Sequence, residues 1–131
     1  MSRLWLTGYR SYELGVFGSQ DPKLLVIKDT LKKLLIGKLE NGMDWLITGG
    51  QLGVEQWAAE VGLALKPDYP ELKISMMTPF AEFGSNWNEN NRGTYAQLAS
   101  RMDFHQSVSE QPYHGPQQLR NYQEFMLTHT D

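Results

Sequence analysis

The 131-residue chain has no cysteine. Disulfides and thiolate-bound metal are thereby excluded, and a reducing compartment, the cytoplasm, is the expected home. An excess of basic charge is also lacking: 12 Lys and Arg stand against 15 Asp and Glu, net −3. That balance gives no electrostatic footprint for duplex nucleic acid, which is therefore not an expected partner. No apolar run approaches the roughly 20 residues a membrane span needs. The opening "MSRLWLTGYR" is too short and polar for a signal peptide. His105, His114 and His129 lack metal-ligand spacing, so no metal site is expected. Ser11, Ser75 and Ser85 lie in no nucleophile elbow.

What is present is an alternation of short apolar stretches and longer amphipathic ones. Strands are expected at 3–8, 44–49 and 73–78, with a weaker one at 103–108, where "DFHQSV" carries many polar residues. The first helix starts at Asp21-Pro22, a side-chain cap followed by proline at the first helical position, and stops at Asn41-Gly42. Its buried face is read as Leu24, Ile27, Leu31, Leu34 and Leu35. A second helix begins near Val54 with Trp57 on its core side. A third follows "NENN", and a fourth runs through Leu119, Tyr122, Phe125 and Met126. Such alternation predicts right-handed βαβ units, a Rossmann-like three-layer α/β/α domain over residues 1–131 with a mostly parallel sheet and helices on both faces.

Ligands of open α/β sheets sit beyond the carboxyl ends of the strands. Three such ends stand out here: "TGYR", "TGGQLG" and "TPF". Gly49 and Gly50 bare the backbone, and Gly53 opens the second helix, where N–H groups and the helix dipole suit a phosphate. The same glycines would serve equally to make a tight turn. Glu55, in the first helical turn, is either a cap or an acceptor for ribose hydroxyls, and a general base if the protein is an enzyme. Arg10 follows the first turn and would close on a phosphate as a two-pronged donor. Phe80 and Trp87 follow the third strand end and would stack on a base, although core use of such rings is commoner.

Taken together, "LTGYRSYELGVF", "ITGGQLGVEQWAAE", "DYPELKISMMTPF" and "NWNENNRGTYAQL" resemble the YpsA-like family of Gram-positive bacteria. That family is similar to the wider SLOG superfamily, Rossmann-like domains that include the LOG phosphoribohydrolases and the DNA-processing protein DprA. The resemblance implies binding or sensing of a nucleotide-derived ligand such as ADP-ribose or NAD, with a link to cell division. The alternative it implies is a nucleotide-processing hydrolase of the LOG type. Carried onto this chain, the pocket residues are Gly8, Arg10, Gly49, Gly50, Gly53 and Glu55, with Thr78 nearby. Members of the family continue past Asp131 with further strands. The second Gly-Gly turn of LOG enzymes, with its glutamate, has no counterpart here. The chain is therefore expected to be a truncated piece of a longer protein. Its open sheet flank would be covered by those further residues or by another copy in a homo-oligomer.

Overall fold

A computed structural model describes residues 2–18 and 20–130. It contains four parallel strands, β1 (Ser2–Leu6), β2 (Met43–Thr48), β3 (Lys73–Thr78) and β4 (Phe104–Ser107), joined in the order β1-β2-β3-β4. The helices are α1 (Pro22–Glu40), α2 (Val54–Leu65), α3 (Glu89–Ser100) and α4 (Pro116–Thr128), with a 3-10 turn at Tyr12–Leu14. The expected α/β architecture is present, including the weak fourth strand. The first two strands each end earlier than their sequence pattern suggests, because Thr-Gly and Gly-Gly already belong to the turns.

Strand order here equals chain order. Right-handed crossovers that always step in one direction must put every crossover helix on the same side of the sheet. Leu4, Leu6, Met43, Leu46 and Ile74 accordingly pack against Leu24, Leu31 and Leu35 of α1 and Trp57, Val61 and Leu65 of α2. Met76 meets Ala59 and Leu98 of α3. The opposite side is met by α4, whose Met126 is buried with Ile47 and Met77 and flanked by Trp5, Tyr122 and Phe125. Helices thus cover both faces unequally, three on one and one on the other.

Local chemistry accounts for the helix ends. The Asp21 carboxylate accepts from the Lys23 N–H at 3.0 Å, with Pro22 in the first turn. Gly42 takes φ +100°, the left-handed region a stop requires. The Asn88 side chain caps α3 through the Asn91 N–H at 2.8 Å. One expected core residue is misplaced: Leu34 is 45% exposed. Leu31 and Leu35 already fill the inward stripe, and a side chain one residue before Leu35 is turned about 100° away from it.

Candidate functional site

The carboxyl ends of β1, β2 and β3 meet in a cavity of about 330 Å³. Its floor comes from Thr7 and Gly8 after β1 and from Gly50 and Gln51 after β2. Pro79 and Phe83 after β3 and Leu119 and Tyr122 of α4 close the sides. Charged groups at the wall are Arg10, Glu13 and Glu55. Glu55 does not cap α2 with its side chain. Its carboxylate accepts from the Thr7 hydroxyl at 2.7 Å and from the Gln51 N–H at 3.0 Å. Both partners lie outside the helix, so the acid is turned into the cavity. The Arg10 guanidinium is steadied by the Tyr12 hydroxyl at 3.2 Å, and the Arg10 N–H donates to the Glu13 carboxylate at 2.9 Å.

Beneath these groups the backbone is tightly interlocked. The buried Thr48 hydroxyl lies 3.1 Å from both the Leu6 and the Glu55 carbonyl oxygens, tying β1, β2 and α2 together. A side chain on Gly49 would meet the Glu55 carboxylate and, at 2.8 Å, the Tyr122 hydroxyl. The Tyr122 phenol is pushed well above the usual tyrosine value, first by burial and then by the charge of Glu55. It stays protonated at neutral pH and faces the site as a donor. Gly53 has φ +109°, and an added Cβ would lie 2.6 Å from the Tyr9 carbonyl oxygen and the Ser11 nitrogen. The Val54 N–H donates to that same Tyr9 carbonyl at 3.1 Å. The mouth of α2 at this point is covered by the first loop.

The structure therefore brings Gly8, Arg10, Gly50 and Glu55 to one cavity lining. Gly49 lies directly behind Glu55, and Gly53 lies under the first loop. Thr78 is buried, with its methyl beside Gly50. Phe80 packs on Phe83 and Tyr113, and Trp87 packs edge-on to Phe83 and Tyr95, so neither ring joins the lining. The rings that do so are Phe83 and Tyr122.

Comparison with known proteins bears on what this constellation belongs to. A family model named YpsA, described as the YspA SLOG family, matches residues 4–131. The chain belongs to this SLOG family. A UPF0398 protein of Levilactobacillus brevis is 98% identical over the whole chain, which spans 69% of that relative. UPF0398 proteins of Lactiplantibacillus plantarum and Latilactobacillus sakei are 66% and 62% identical over the whole chain, which spans 69% and 70% of their lengths.

In this member of the YpsA family, Thr7, Gln51 and Tyr122 escaped the sequence reading. Thr7 and Gln51 sit within quoted motifs, but their link to Glu55 crosses from one strand end to another and leaves no local signal. Tyr122 did carry one, a phenol on the inward stripe of an amphipathic helix, which needs somewhere to put its hydroxyl. Among the described residues no group of His, Asp and Glu is arranged to hold a metal ion, and no helix is long and apolar enough to cross a membrane.

Proposed function

We propose that this protein binds a nucleotide-derived ligand of the ADP-ribose or NAD kind in the cavity beside Glu55. The observation that carries the reading is the direction of Glu55. A carboxylate held by Thr7 and Gln51 and aimed away from its own helix axis is an acceptor waiting for hydroxyl donors. Ribose hydroxyls supply them. Arg10 stands on the same wall and suits the adjoining phosphate. The cavity falls in the size range of small-ligand sites, roughly 300 to 1,000 Å³, and is large enough for a ribose-phosphate unit. Binding then serves sensing in the bacterial cytoplasm, with an output toward cell division or toward a second copy of the chain.

The deciding experiment is calorimetry of wild type and Glu55→Gln against ADP-ribose, NAD and AMP. Loss of the charged acceptor is expected to weaken binding by about tenfold or more, with little change in melting temperature. Wild-type affinity in the variant would end the proposal.

The Tyr122 phenol favours a second reading, cleavage of the ligand's N-glycosidic bond. A protonated donor beside a fixed carboxylate is a pairing that general acid-base chemistry uses. Chromatography of ADP-ribose and AMP after incubation tests it. An intact ligand rejects cleavage and leaves binding standing.

A further inference from the structure

Among the described residues no strand pairs with the outer side of β1 or with the outer side of β4. The two edges are not alike. β4 is four residues long, and its Phe104, His105 and Gln106 are exposed. A short, exposed strand carrying polar side chains is how a sheet edge is kept from pairing further. None of the five residues of β1 is exposed. Leu4 and Leu6 pack with the core of α1 and α2, and Trp5 packs on the α4 side. That is the two-sided cover of an inner strand of a parallel sheet, on a strand that stands at the rim.

The course of α4 says where a further strand must go. The helix starts at the carboxyl ends of the strands, where Leu119 and Tyr122 line the Glu55 cavity. It runs back to their starting ends, where His129 and Thr130 share a cavity of about 200 Å³ with Arg3, Trp45 and Phe104. A crossover helix takes this path, because it returns the chain to the end at which a parallel strand begins. The crossovers through α1, α2 and α3 lie over one face and step from β1 toward β4. A right-handed crossover over the opposite face must step the other way. α4 lies on that opposite face, against Trp5, Ile47 and Met77. The next parallel strand therefore falls outside β1, whereas a place outside β4 would require a left-handed crossover.

We infer that the open edge of β1 is the docking place of a fifth parallel strand, made by residues that follow α4 in the longer relatives. The chain spans 69% of its 98% identical relative, so that protein has residues outside the match. The fifth strand gives partners to the backbone N–H and C=O groups on the outer side of β1. The direction of stepping reverses between β1 and this strand, and such a reversal is where open α/β sheets form a ligand crevice. The carboxyl end of the fifth strand accordingly stands beside Thr7 and Gly8, at the rim of the Glu55 cavity. The inference rests on chain topology and holds whatever that cavity binds.

The test is NMR of the full-length Levilactobacillus brevis relative, labelled with ¹⁵N and ¹³C. An edge strand leaves alternate amides facing water, and an inner strand leaves none. Over residues 3–6 the outward-facing amides are expected to exchange within about tenfold of those bonded to β2. Cross-strand proton contacts are expected between β1 and a segment after α4, in the parallel pattern. Alternating fast and slow exchange along β1 would overturn the inference, as would a strand after α4 that pairs with β4 or runs antiparallel. A sample mixing labelled and unlabelled protein separates a second copy from the chain's own continuation. Contacts to β1 that arise only between molecules would overturn it too, since another copy would then fill the edge.

Discussion

At the scale of single residues, Gly53 and Glu55 divide the labour of one motif. Gly53 is where the first loop's backbone rests on the start of α2, and its positive φ suits no other residue. Gly53→Ala is expected to cost about 1 to 3 kcal/mol, since the methyl meets backbone atoms that cannot swing aside. Chemical denaturation of the variant measures this, and an unchanged midpoint would mean the loop yields freely. "GGQLGVE" announces a turn with an acid beyond it. Nothing local tells which glycine is bare for a ligand and which for the chain's own packing, because that depends on Tyr9 and Ser11, which precede Gly53 in the chain by a whole helix and strand. Glu55 was legible as a dipole-favoured acid; its turn toward Thr7 was not. Gln56 was wholly illegible, a polar residue in an amphipathic helix whose burial only the Gly50 carbonyl explains.

Elements were easier to read than their contacts. Leucine spacing in α1, the Asp21-Pro22 start and the Asn41-Gly42 stop are short-range signals, and they mark the helix correctly. Leu34 misleads because hydrophobicity alone does not say which of two adjacent leucines turns inward. One inter-element joint has a pH signature. Asp103, just before β4, accepts from the Lys66 ammonium at 2.7 Å and from the Ile74 N–H at 2.8 Å, fastening the end of α2 to β3. Burial alone would raise its pKa; the Lys66 and Ile74 bonds outweigh that and hold the carboxyl below its usual value. A native pKa below the unfolded one means the stabilisation is complete above about pH 4 and fades as pH falls through the native value. Asp103→Asn should therefore lower stability by about 1 kcal/mol at pH 7. The gap from wild type should close on acidification below about pH 3. Melts at pH 7, 5 and 3 check it, and a gap of constant size would assign the loss to packing rather than charge.

Across the whole molecule the two sheet faces are unequally loaded. The α1 and α2 side holds one continuous core, whereas α4 rests on Ile47 and Met77 through Met126. Local opening free energy follows buried apolar contact. Amides in the middle of α4 are expected to exchange with deuterium well before those of α2. Equal protection in the two helices would show that α4 opens only with the entire domain. The unequal loading follows from strand order, which the alternation of elements did not reveal, since βαβ units can step in either direction along a sheet.

The same strand order has a consequence for synthesis. Each strand pairs with the one made just before it, so no strand must be held unpaired until a distant stretch of chain is translated. Parallel pairings are slow when the loops to be closed are long. Here every closure spans a single helix, and polymerisation at about 5 to 20 residues per second leaves seconds between successive strands. The sheet can thus be laid down on the ribosome one strand at a time, with β1 and β2 already paired when β3 leaves the exit tunnel. Among the described elements, α4, which crosses back over strands made earlier, is the one that has to return to older parts of the chain, and its docking is expected to raise the resistance of those parts to protease.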